Sequence, residues 1–133
     1  EKWEKKVHVK SSLEAKPTQY AMFIGRWQPL HEGHQALFRE AMFEGKNVLI
    51  CIRDIEPDDK NPFSAVEVQH NIETHYSKEV LNGRVKVMVI PDICSIEFGR
   101  GVGYEIIERI PPQQVADISA TKIREQMKRD GRL

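Results

Sequence analysis

Residues 20–52 read YAMFIGRWQPLHEGHQALFREAMFEGKNVLICI, and this stretch decides the fold. Tyr20 to Ile24 is a short, continuous apolar run closed by Gly25, as in a strand buried on both faces. A loop containing Pro29 and Leu30 follows. Glu32 to Glu44 then carries Ala36, Leu37, Ala41 and Met42 at helical spacing, with Gly45 as a stop. Asn47 to Ile52 is a second apolar run of strand length. Strand, helix and strand in that order predict parallel strands joined by a right-handed crossover.

The same alternation continues outward. Arg53 to Phe63 is a loop rich in Asp and Pro. Ser64 with Glu67 three residues on forms a capping box, and Val66, Ile72 and Val80 mark the apolar side of a helix that Asn82-Gly83 ends. Val85 to Ile90 is a third strand, Tyr104 to Ile110 a fourth, and Thr121 to Arg129 a last helix closed by Gly131. The expected architecture is α/β, a doubly wound, Rossmann-like parallel sheet in a single domain. Its ligand belongs at the carboxyl ends of the strands. Residues 1–19 are dense in charge without sustained apolar periodicity, so they read as an N-terminal arm or linker, and the domain as 20–133. Within the arm, Trp3, Val7 and Val9 have the alternation of an edge strand. Glu1 in place of Met fits a processed product or a piece of a longer polypeptide.

Composition narrows the function classes. The 133 residues carry 20 Lys+Arg against 20 Asp+Glu, and 40% are hydrophobic. That is enough apolar content for one core without disulfides or a structural metal. Balanced charge, with an isoelectric point near 7.2, argues against a nucleic-acid-coating protein or a polybasic membrane binder. No apolar run approaches the length that spans a bilayer, and the charged N-terminus does not resemble a signal peptide. A cytoplasmic domain is expected. Cys51 and Cys94 form no C-x-x-C pair, and Cys51 reads as a small core hydrophobe.

The loop after the first strand holds the chemistry. His31 and His34 stand three apart at a helix start and so share a face. Gly33 between them lets a ligand approach the backbone, and helix N-termini favour phosphate. H-x-G-H arises by chance in roughly one such sequence in a hundred. Two histidines are too few for zinc, and neither cysteine has metal-site spacing. The second signal is Ile118-Ser119-Ala120-Thr121-Lys122-Ile123-Arg124. Ser119 or Thr121 can cap the last helix, while Lys122 and Arg124 place positive charge at the end where anionic side chains are preferred. A polyphosphate bound there would account for that charge. His70 and His75 stand five apart on a helix and do not converge. The glycines of Gly99-Arg100-Gly101-Val102-Gly103 are a weak phosphate-loop signal.

Together, H-x-G-H and I-S-x-T-x-x-R resemble the nucleotidyltransferase superfamily of cytidylyltransferase-like α/β enzymes. The opening G-R-W-Q-P-L-H-E-G-H is most similar to nicotinamide mononucleotide adenylyltransferases of the archaeal type, with Phe in place of Trp27. Asn61-Pro62-Phe63 and Tyr104 to Pro112 are also similar to that branch. The short stretch from Pro91 to Asp117 instead resembles the small cytidylyltransferases that activate alcohol phosphates. The resemblance implies transfer of AMP or CMP from a nucleoside triphosphate, ATP or CTP, to a phosphate-bearing acceptor, with release of pyrophosphate and with Mg²⁺ bound mainly to the triphosphate. It implies His31, His34 and Arg124 as catalytic. Gly25, Arg26, Gly33, Ser119, Thr121 and Lys122 would bind nucleotide, and Arg53 and Arg100 the acceptor. Arg53 could equally form a surface ion pair with Asp54 or Glu56. The other class of function is a nucleotide-binding regulatory or interaction domain of a larger protein without turnover. The acceptor and any homo-oligomeric state are not legible in the sequence.

Overall fold

A computed structural model describes residues 2–9, 19–99, 104–112 and 120–131. The elements are β1 (Glu4–Val9), β2 (Tyr20–Gly25), α1 (Glu32–Phe43), β3 (Asn47–Asp54), α2 (Ala65–His75), α3 (Ser77–Leu81), β4 (Val85–Pro91), β5 (Ile106–Ile110) and α4 (Ala120–Arg129). β2, β3 and β4 make a parallel sheet in that order. Both crossovers step the same way across it, and right-handedness therefore puts α1 and α2 on one face. The α/β, Rossmann-like fold expected from the alternation is present, and the described residues supply this one winding of it.

Register explains the core. Ala21, Val48 and Val85 lie abreast across the three strands, as do Phe23, Ile50 and Val87. These rows meet Phe38 and Ala41 of α1 and Val68 and Ile72 of α2 in one cluster. Phe38, fully buried and edge-on to Phe23, is its largest α1 member, although the sequence reading marked Leu37 instead. Val66 is corrected too: it is 72% exposed, and Ala65, Val68 and Ile72 form the inner stripe of α2. The Ser64–Glu67 capping box forms as expected. Gly45 ends α1 at φ +82°, a backbone state that side chains disfavour. The opposite sheet face carries Met22, 59% exposed, and Met88, 44% exposed.

The fourth strand departs from its expected place. Ile106–Ile110 pairs antiparallel with Glu4–Val9, so a segment read as arm or linker is a strand over those residues. A parallel partner needs a long crossover, usually helical, and no helix is present in 92–99 or 104–105 among the described residues. Cross-strand charge favours the observed pair. Lys6 lies opposite Glu108, whereas Lys5 opposite Arg109 would repel. Glu44, just past α1, resolves that repulsion: it accepts from both Arg109 guanidinium Nη atoms at 2.9 and 3.0 Å and from Lys5 Nζ at 3.4 Å. Lys46 adds a bond at 3.0 Å. The Arg109 hydrogen bond, before any other cause, lowers the Glu44 carboxyl from 4.5 to about 2.

Glu44 thus ties the β1–β5 ribbon to the end of α1. A depressed carboxylate stabilises the fold above its unfolded value near 4.5 and stops doing so as pH falls toward 2. Because the site is partly solvated, screening limits Glu44→Gln to a loss of about 1 kcal/mol at pH 7. Urea titrations should show that loss shrinking between pH 4.5 and 2. Amide exchange should quicken in β1 and β5 but not in β3.

Candidate functional site

The two histidines cap the helix they begin. A helix start leaves four N–H groups without intrahelical acceptors, and His31 Nδ1 accepts from the backbone N–H of Gly33 at 3.0 Å and of His34 at 3.4 Å. His34 Nδ1 accepts in return from the His31 N–H at 3.3 Å. This is a capping box built from two imidazoles, where Ser or Thr with Glu or Gln is usual. The rings stack with centroids 3.6 Å apart and 19° between planes. With both Nδ1 atoms accepting, each proton resides on Nε2. The result is a pair of neutral imidazoles whose Nε2–H groups remain to donate, beside a helix N-terminus that favours anions. Burial lowers the His31 pKa, and burial followed by repulsion from His31 lowers His34 to about 3.

Trp27 holds this arrangement from the side. It has φ +51°, and its indole N–H donates to the Cys51 carbonyl of β3 at 3.0 Å. Its ring meets His34 edge-on at 4.8 Å and Phe38 at 5.3 Å. Gly25 lets the indole lie close above it, because a Cβ there would stand 3.0 Å from the ring and push it aside by a few tenths of an ångström.

Arg124, ninety residues downstream, reaches the same loop. Its Nη1 donates to the backbone carbonyl of Gln28, three residues before His31. Arg124 also lines a cleft of about 380 Å³ with Asp59, Lys60, Glu125 and Lys128. The 58–61 loop is fixed by Asp58, whose Oδ1 accepts from the N–H groups of Lys60 and Asn61. These bonds, that to Asn61 first, lower the Asp58 pKa, and nearby Arg26 lowers it further. The structure therefore brings together His31, His34, Gly33 and Arg124, with exposed Arg26 close to the 58–61 loop. Lys122 is exposed on α4. Ser119, Arg100 and the side chain of Thr121 lie outside the described residues.

Arg53 sits elsewhere at the carboxyl ends of the strands. It pairs with Asp92, Nε at 2.8 Å and Nη2 at 2.7 Å, and donates to the Ile93 carbonyl. The partner is thus the neighbouring strand's end, neither Asp54 nor Glu56. Arg53 lines a second cleft, of about 350 Å³, with Ile24, Ile93, Cys94, Ser95 and Ile96. Cys51 is buried, and Cys94 is exposed. His70 and His75 are exposed on α2. Sequence reasoning missed Gln28, Lys60 and Lys128. Gln28 and Lys60 stand beside Pro or Asp, a context that reads as ordinary loop, and Lys128 reads as a basic last turn.

No cluster of three or more His, Cys, Asp or Glu side chains suited to a metal occurs among the described residues. Both histidine Nδ1 lone pairs are already used. The oxygen donors of Asp59 and Glu125, beside Arg124, fit a hard cation carried in by phosphates. No described helix is long and apolar enough to cross a membrane.

An α/β sheet with a donor-rich helix start at its carboxyl edge defines a class of protein suited to an anionic ligand at that edge. The family model described as cytidylyltransferase-like matches residues 22–91. The chain belongs to that family, as the two motifs led us to expect. A curated relative, the nicotinamide/nicotinic acid mononucleotide adenylyltransferase of Acinetobacter baylyi, is 37% identical over 62 residues, 45% of this chain and 33% of the relative. The match thus spans about a third of that protein's length.

A His34 pKa near 3 in the fold, against 6.5 when unfolded, makes acid destabilising. The unfolded chain binds this proton first, so stability is full above pH 6.5 and falls as pH drops toward 3. Long-range ¹H–¹⁵N spectra should show Nε2–H tautomers for both histidines and no His34 titration from pH 8 to 5.

Proposed function

We propose that this chain is a cytoplasmic nucleotidyltransferase that moves AMP or CMP from a nucleoside triphosphate to a small phosphate-bearing acceptor. The observation that carries this reading is the pair of locked Nε2–H donors at the α1 start, with Arg124 bound to the same loop. An acceptor phosphate oxygen attacks the α-phosphorus in line. The bond from that phosphorus to the bridging oxygen breaks, and pyrophosphate leaves with the electron pair. Such chemistry asks the protein for position and charge stabilisation more than for covalent help.

His31 and His34 donate to oxygens of the α- and β-phosphates, and their neutrality fits donors rather than proton acceptors. Arg124, held through Nη1 by the Gln28 carbonyl, turns its other guanidinium N–H groups to the β- and γ-phosphates. Ser119, Thr121 and Lys122 complete that end, and Gly25, Gly33 and Arg26 flank the nucleotide. Asp59 or Glu125, with the triphosphate, would hold a Mg²⁺ that would supply neutralisation of phosphate charge. The cleft beside Arg53 takes the acceptor, with Arg100 as a further contact. Base choice lies between adenine and cytosine. The relative's name supports ATP, and the short stretch before α4 supports CTP.

Pyrophosphate release across a panel of triphosphates and phosphorylated acceptors tests the reading. Turnover should require Mg²⁺, stop with chelator and favour ATP or CTP over GTP. His34→Ala should lower kcat by roughly 10²–10³, the cost of one such donor, with a smaller change in triphosphate KM. Arg53→Ala should raise the acceptor KM. Triphosphate binding without any pyrophosphate release would assign the regulatory role, and normal kcat in His34→Ala would remove the histidines from the chemistry.

A further inference from the structure

Gln28 belongs to neither motif, yet three parts of the site meet at it. Its side chain is in a residue only 3% exposed, and both ends of its amide bind one residue. Nε2 donates to the Phe63 carbonyl at 2.8 Å, and Oε1 accepts from the Phe63 N–H at 2.9 Å. A side chain thereby makes the two-bond exchange that paired strands make with backbone. Its own carbonyl accepts from Arg124. Three residues on stands His31, and one residue beyond Phe63 stands Ser64, the cap of α2. The β2–α1 loop, the segment entering α2, and α4 are joined at this residue.

We infer that Gln28 is a positioning residue: its clamp on Phe63 fixes its carbonyl, and that carbonyl fixes Arg124 relative to His31 and His34. The inference rests on the nucleotidyl-transfer reading for its kinetic consequence and on geometry alone for the rest. An amide is the neutral side chain that offers one acceptor and one donor at this separation. An ionised carboxylate would set an oxygen against the Phe63 carbonyl, and an apolar chain would leave two part-buried backbone groups without this partner. Phosphate donors work only when already in place, and a displacement of about 1 Å costs on the order of 10²-fold in rate. Precision at Arg124 is therefore worth a buried polar clamp.

Gln28→Met and Gln28→Glu test it. In ¹⁵N spectra that resolve guanidinium groups, Arg124 should show restrained Nη signals in the parent and averaged ones in Gln28→Met. This measurement requires no turnover. A parent with restrained Arg124 but no pyrophosphate release with any triphosphate would defeat the activity and leave the positioning intact. Unchanged Arg124 signals in Gln28→Met would overturn the positioning. With activity, Gln28→Met should lower kcat about 10- to 100-fold with acceptor KM within about twofold. Added to Arg124→Ala it should cost less than about twofold more, because the two act as a unit. Equal losses in both backgrounds would overturn the inference. Should Gln28→Met fail to fold, Gln28→Glu decides. Burial raises its carboxyl pKa, and the protonated form restores both Phe63 bonds, so kcat relative to the parent should climb between pH 8 and 6. A flat ratio would overturn the inference.

Discussion

A helix start exposes N–H groups that something must accept, and here two imidazoles take them. The reciprocal bonds between His31 and His34 satisfy the backbone and decide the tautomer of each ring at the same time. Capping and ligand presentation are therefore one arrangement. A Ser–Glu box, as at α2, would satisfy the same helix start and present no ring donors to a phosphate. Burial keeps His34 neutral, so its Nε2–H stays a hydrogen-bond donor without the desolvation cost of a buried cation.

The rest of the fold serves to keep that start where it is. β2 delivers the loop at the sheet's carboxyl edge. Trp27 ties it down to β3 through the Cys51 carbonyl, and Gln28 ties it sideways to Phe63. Arg124 then joins from α4. Beneath, Phe38 fills the space between α1 and the sheet, touching Phe23, Trp27 and Tyr76. At the far end of α1, Glu44 gathers Lys5, Lys46 and Arg109. One helix thus has its beginning committed to the loop and its end committed to the ribbon.

Much of this was legible in the sequence, because strands buried on a face must be apolar and helices must stop somewhere. β2, α1, β3 and β4 fall close to where the apolar runs and glycines put them. H-x-G-H pointed to the helix start, although not to the mutual cap, because ring-to-backbone bonds have no sequence period. Phe38 was missed for a similar reason: two adjacent apolar residues at 37 and 38 compete for one inward position. β5 was found as a strand but not with its partner, since pairing depends on a contact about a hundred residues away. Gln28 and Arg124 meet only through three-dimensional closure. A lone glutamine beside a proline carries no signal of what its amide will hold.

Gly25 and Trp27 carry a consequence for how this loop can diverge. Indole and glycine occupy one space, with no room for even a methyl group at 25 unless the ring yields. The two positions are therefore not independent sites of substitution. A side chain at 25 asks the indole to give by a few tenths of an ångström, and reducing 27 to make that room gives up the tie to Cys51 and the wall beside His34. The order of changes matters as much as their identity. Descent through this loop has an easier direction and a harder one.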